Sequence, residues 1–238
     1  MKIKILFFFL LVGVISNSCK KQMEQISMEQ NLGDFDTLRL NSVFQVYLMQ
    51  GTENKIQING ARKILEKISI TNENNALTLK NNYKGNWMHP GNNKISVFLT
   101  VKKLTTLIAN ETCRIESINT LQTDTFTLVM ASKLNEAELQ INCNSFTYWN
   151  NFPCGGQIKI AGTTNSLQFF NVALMAVDAS NFITNYATVV NSSKGDCKIN
   201  CLQKLIYKIE GEGNIYLKGN PPEIVNENLN STGKLIFE

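Results

Sequence analysis

The chain has 238 residues, 18% of them charged and 43% apolar, with a formal net charge of +4, which excludes wholesale disorder and allows one domain or two small ones with a real core. It holds 31 asparagines but only three arginines, Arg39, Arg62 and Arg114, so it lacks the clustered arginine of a phosphate-binding face, and nucleic acid is not expected as a partner. Beyond the first 18 residues no apolar run is long enough to cross a membrane as a helix.

Met1–Ser18 opens with Lys2 and Lys4 and continues as an apolar run from Ile5 to Ile15, the length of a signal-peptide core and too short for a permanent anchor. Ile15-Ser16-Asn17-Ser18-Cys19-Lys20-Lys21 resembles a bacterial lipobox, with Ser16 where leucine usually stands. That resemblance implies cleavage before Cys19 and a lipid on it, which would tether the chain to a membrane of the cell envelope, the outer membrane being the expected one. An ordinary secretory signal followed by a chance cysteine is the alternative. Without Lys2 and Lys4 the chain is nearly neutral, so charge does not steer it toward anionic partners. Lys20–Asn31 is polar without a clear strand pattern, and residues 19–33 are expected to be a tether.

From Leu38 onward apolar and polar residues alternate, as in Phe44, Val46 and Leu48, then Ile56 and Ile58, Leu77 and Leu79, and Ile95, Val97, Leu99 and Val101. Turn signals separate these strands, among them Asn59-Gly60 and Asn72-Glu73-Asn74-Asn75. Only Ala61–Lys67 invites a helical turn, and no βαβ rhythm appears. In the second half Ile108, Val129, Trp149, Phe170, Val190 and Ile209 recur every 19 to 21 residues, each followed by a small or polar corner and a second short strand. The expected fold is therefore all-β, a β-solenoid of about 20 residues per coil in which these anchors point inward, Val190 among them. Six coils at ~4.8 Å each would make a column of roughly 30 Å. The asparagines either stack and bond along the corners or merely reflect composition. Residues 222–238, with Leu235-Ile236-Phe237, are expected to close the column against edge pairing.

After Cys19 five cysteines remain, Cys113, Cys143, Cys154, Cys197 and Cys201, and their odd number leaves at least one thiol free if pairing is internal. Cys197 and Cys201 are four apart with no histidine near them, so a zinc site is not expected and buried thiols packed as small apolar groups are.

Phe35–Gly51, Lys55–Gly60, Asn75–Leu79, Ile95–Val101 with Leu104–Leu107, and the closing Gly211-Glu212-Gly213 with Gly219-Asn220-Pro221 together resemble the auto-transporter adhesin head GIN domain family, over residues 34–221. The resemblance implies a right-handed parallel β-helix, often on a lipoprotein. It departs from the family pattern in the middle corners, where Asn110-Glu111-Thr112 or Asn191-Ser192-Ser193 replaces the Ser-Gly type.

For binding, the best candidates are Tyr83, Trp87 and His89, in a loop with two aromatics, the only histidine and flexible glycines. The bland alternative is a connection whose Trp87 covers the column. Phe146, Tyr148, Trp149, Phe152, Phe169 and Phe170 form a second candidate, as an aromatic strip for a polysaccharide or as core; alternation puts Phe146 and Tyr148 on one face and Trp149 on the other. Catalysis has little support. The five aspartates are mostly scattered, Glu136 with Glu138 and Glu210 with Glu212 are as easily solvated edges, and a nucleophile lacks its usual histidine base. No cofactor is expected. The reading is a non-catalytic envelope lipoprotein whose solenoid binds glycan or protein or serves structurally, with a carbohydrate-active β-helix enzyme as the alternative.

Overall fold

The structure, a computed structural model, describes residues 24–85, 94–151, 153–227 and 231–238. It is a β-solenoid of about six turns with about 21 residues per turn. Two ladders of parallel strands face each other across an apolar interior, joined by corners.

The first ladder runs through β2 (Thr37–Leu40), β8 (Thr106–Ala109), β11 (Thr125–Met130), β13 (Ser145–Asn150), the second and fourth arms (166–170 and 186–191) of the long bent β14 (Gly155–Ser193), which winds through two coils, then β15 (Cys197–Ile209) and β17 (Glu223–Asn226). The second runs through β3 (Phe44–Gln50), β9 (Cys113–Ser117), β12 (Asn135–Asn142), the first and third arms of β14 (156–163 and 177–179), the start of β15, β16 (Ile215–Lys218) and β18 (Leu235–Phe237). The short β10 (Leu121–Gln122) joins the end of β12.

Because alternate side chains of a strand point to opposite faces, each ladder sends one column in and one out. Leu107, Leu128, Tyr148 and Phe169 are ladder partners and are buried, as are Val46, Ile115, Ala137 and Ile158 on the opposite side. Rings fill the middle of the column: Phe126 stacks on Phe146 at 5.9 Å, and Phe182 meets Phe146 edge-on at 5.2 Å. The sequence anchors lie in register, Ile108 on Val129 on Trp149 on Phe170, but they point outward. The inward residues are their neighbours one position earlier, so Val189 is buried and Val190 is half-exposed beside Lys208. Ile209 is the one anchor of the six that faces in.

The first hundred residues close one end of the column. β6 (Ala76–Asn81) and β7 (Ser96–Val101) form a coil that pairs with β2 and β3, so the β2–β3 coil lies between β6–β7 and β8–β9, out of chain order. Asn54 staples the skip: its Oδ1 accepts from Lys102 N at 2.9 Å and its Nδ2 donates to Gly33 O at 3.2 Å. Outside β6–β7 the chain runs backward, with β4 (Lys55–Ala61) antiparallel to β7 and β5 (Ile68–Glu73) antiparallel to β6. The β5–β6 turn has Asn74 and Asn75 at φ 51° and 61°, the left-handed pair that a two-residue hairpin demands. Between β4 and β5 the single helical turn α1 (Arg62–Leu65) presses Ile64 and Leu65 into the end of the core.

Part of the stretch read as a tether is a strand. β1 (Gln25–Asn31) pairs antiparallel with β4 over its whole length, with Ile26 and Met28 packed partly on the core. An edge strand needs backbone pairing more than apolar side chains, which is why its polar sequence carries little pattern. The signal segment 1–18, Cys19 and residues 20–23 lie outside the described residues.

The corners after the first ladder are held by buried asparagines. Asn150 exchanges bonds with Val172 O and N at 2.9 and 2.8 Å. One coil on, Asn171 Nδ2 donates to Asn191 Oδ1 at 3.1 Å, and Asn191 Nδ2 reaches Gly195 O and Gly213 O, both at 3.1 Å. In the opposite corners Asn185 Nδ2 donates to Asn165 Oδ1 at 3.0 Å. Of the two sequence alternatives, stacking along the column is therefore what these asparagines do. The C-terminal corners are tighter still: a Cβ at Gly213 would sit 2.1 Å from Gly195 O, in the carbonyl of the coil below. Gly213→Ala is expected to cost about 1–3 kcal/mol through that overlap. A lowered urea midpoint checks it, and an unchanged midpoint would show that the corner opens freely.

Candidate functional site

Of the loop candidates, Tyr83 follows β6, packs its ring partly against the core, and donates its backbone N–H to Asn81 Oδ1 at 2.9 Å. Trp87 and His89 lie outside the described residues, as does Phe152. The roots of that loop, Asn81 and Lys94, line a cavity of about 670 Å³ at the corner of the first coils, shared with exposed Val43 and Leu134 and with Glu111 and Arg114.

The second aromatic candidate divides in two. Phe146, Tyr148 and Phe169 are wholly buried core, whereas Trp149 and Phe170 are 38% and 41% exposed and are ladder partners. They belong to a flat outward face of the first ladder, built by one repeated five-residue pattern: Thr125-Phe-Thr127-Leu-Val129, Ser145-Phe-Thr147-Tyr-Trp149, Ser166-Leu-Gln168-Phe-Phe170 and Tyr186-Ala-Thr188-Val-Val190. The first, third and fifth side chains point out. The first three patterns are aligned by the parallel ladders, and the fourth follows at the twenty-residue step carried by the bonds Asn165–Asn185 and Asn171–Asn191.

Three outward rows result. One is hydroxyl throughout, Thr125, Ser145, Ser166 and Tyr186. The next is Thr106, Thr127, Thr147, Gln168 and Thr188, and the third is apolar, Ile108, Val129, Trp149, Phe170 and Val190. Across these five coils no outward side chain of the face is charged; Arg39 borders it on one side and Lys204 and Lys208 on the other.

The face of the second ladder is the opposite. In the same coils it carries Arg114 and Glu116, Glu136 and Glu138, Lys159, Asp178 and Lys198. Arg114 Nε pairs with Glu116 at 2.7 Å, and Lys198 Nζ stands 5.5 Å from the Tyr216 ring centre. Asp178 is held below the usual carboxylate range: burial works against this, but donation from the Ser180 hydroxyl and N–H outweighs it, helped by Lys198 and Lys159.

Among the described residues the titratable and nucleophilic side chains stay dispersed over the two faces and the interior. The five cysteines are free thiols, all but Cys143 fully buried, and burial pushes Cys113 and Cys197 up to about 12, so neither is a thiolate at neutral pH. Glu138 lies on the charged face and Glu210 at a corner. The latter is lowered by hydrogen bonds from Lys208 first and Ser192 second. Among the described residues no group of three or more His, Cys, Asp or Glu side chains is placed to hold a metal ion.

The hydroxyl rows went unnoticed in the sequence, although the five-residue pattern at 20- to 21-residue intervals carries them openly.

Comparison with solved structures finds the same fold in a putative adhesin from Bacteroides fragilis, at 17% identity and a TM-score of 0.81 over 90% of this chain and 97% of that one. A putative adhesin from Parabacteroides merdae matches at 16% and 0.61, covering 90% and 96%. A protein named putative lipid binding protein from Parabacteroides distasonis matches at 16% and 0.60, also covering 90% and 96%. No curated protein matches. The family model described as putative auto-transporter adhesin, head GIN domain, matches residues 34–221, from before β2 through β16, and the chain belongs to that family.

Proposed function

We propose that this protein is an adhesin-like, non-catalytic binding module of the cell envelope, held to a membrane by lipid on Cys19 and presenting its charge-free face to a glycan or protein. The observation that carries the reading is that face. A soluble domain normally disperses charge over its surface, and a flat uncharged area with an aromatic row marks a contact surface. The family's adhesin description and the adhesin names of its structural neighbours agree with it. The enzyme alternative has no comparable support: Glu136 and Glu138 share the salt-bridged charged face, where Arg114 reaches Glu136, and Glu210 and Glu212 are engaged by Lys208 and Lys194.

Two measurements test the proposal. Cys19→Ala should move the protein from the membrane fraction to the soluble one, and a variant that still fractionates with lipid would refute the anchor. Thr147→Glu places a charge in the middle of the uncharged face and should abolish retention on the surface material that the unaltered protein binds, with an unchanged melting temperature. Retention equal to the parent's would move the binding surface elsewhere.

A further inference from the structure

We infer that the charge-free face takes an extended, neutral polysaccharide laid along the coil axis, with one sugar to each coil. This rests on the reading of that face as a binding surface and goes on to name its ligand class and direction.

Three properties of the face argue for it. Coils succeed one another at ~4.8 Å, the strand spacing of any sheet, which is close to the rise of one hexose in an extended glycan. The apolar row offers Trp149 and Phe170 exposed at adjacent coils, with half-exposed Val190 beyond Phe170 and with Val129, only 3% exposed, before Trp149, an apolar strip for the C–H faces of sugar rings. Beside it runs the row Thr106, Thr127, Thr147, Gln168 and Thr188, whose hydroxyls and amide donate and accept as sugar hydroxyls do, with a further hydroxyl row beyond it, so rings stacked on the apolar row have exchangeable partners along one edge.

The charge pattern selects among glycans. An acidic polymer would bring carboxylates against an apolar row and against hydroxyls with no cation among them, and the carboxylates' lost hydration would go uncompensated. A neutral polymer loses nothing comparable. The charged face on the opposite side has the reverse character, salt-bridged in place, and is not part of the site.

The experiment is electrophoresis of the full chain lacking its signal segment through native gels containing a dissolved neutral polymer (xylan, mixed-linkage β-glucan or hydroxyethyl cellulose) or acidic polygalacturonate. Retardation by at least one neutral polymer and not by the acidic one is expected. Trp149→Ala with Phe170→Ala should weaken it at least tenfold, while Glu138→Gln on the opposite face leaves it unchanged. Should the double variant fail to fold by circular dichroism, Thr127→Val with Thr147→Val keeps the shape, removes two hydroxyls, and should weaken retardation similarly. With soluble oligosaccharides of the retained polymer, affinity should climb with length to about five sugars and then level, since five coils make the face. Retardation only by polygalacturonate, or an affinity that does not depend on length, overturns the inference. So does a protein ligand, or a second copy of this chain, captured by the face while neutral polymers are ignored, although the face would then still be a binding surface. Neutral-polymer binding indifferent to all four outward substitutions overturns both readings.

Discussion

Val189→Asp is expected to destabilise the fold by about 4 kcal/mol or more, because it forces a carboxylate into the apolar interior with no partner and removes a buried side chain as well. Val190→Asp, one residue further, should cost about 1 kcal/mol or less, since its side chain points out beside its ladder partner Lys208. Urea unfolding of the pair checks this, and equal losses would place both residues in one environment. The pH dependence supplies a second check. Burial raises the folded-state pKa of an aspartate at 189 above its unfolded value. The variant therefore keeps its stability best below the unfolded pKa and loses it as pH rises through the folded one. A Val189→Asp deficit that shrinks toward acid pH, relative to the parent, is the expected signature, whereas a deficit constant with pH would mean that the carboxyl reaches water.

The second large effect belongs to the asparagine corner. Asn191 holds two backbone carbonyls of successive corners and receives both Asn171 Nδ2 and Ser193 N, the latter at 3.4 Å. Asn191→Ala removes the bonds to Gly195 O and Gly213 O and one of the bonds of Asn171 Nδ2, which keeps Met175 O, and should cost about 2–4 kcal/mol. Asn191→Leu separates the causes. The neighbouring coil carries Ile209 at the equivalent ladder position, so an aliphatic of this volume is accommodated there, and only the hydrogen bonds are lost. A leucine variant as stable as the parent would reduce the asparagine to a space filler. If it falls nearly as far as alanine does, the corner is held by polar bonding.

The coil period was legible because a ladder repeats its side chains in register, so an apolar residue every 19 to 21 positions announces both the winding and its step. The direction in which those residues point was not, because the first ladder carries apolar residues on both sides. Leu128 and Val129, Tyr148 and Trp149, and Phe169 and Phe170 are adjacent pairs of which either member satisfies the period, and alternation says only that they oppose each other. Taking Trp149 and Phe170 as inward anchors turns the first ladder inside out, although the same two rings also fit the aromatic strip that the sequence offers as the other alternative. The order of the first coils was illegible for another reason: pairing of β2 with both β6 and β8 is decided by long-range contacts, stapled by Asn54, that leave no periodic trace. Tyr83 was correctly placed between strand blocks, but it packs toward the core, and the uncharged face lies in the coils beyond it.

The pairing of β1 with β4 has a mechanical consequence for a protein anchored at Cys19. Were lipid carried on Cys19, as proposed, the leash between lipid and the sheet, which Gln25 enters, would be six residues, at most about 20 Å when fully drawn out. The reversed cap would then ride close against the leaflet, and the body could not roam far from it. Reach would come from the stacked height of the coils, so a polymer must approach within the column's own length of the bilayer to be caught.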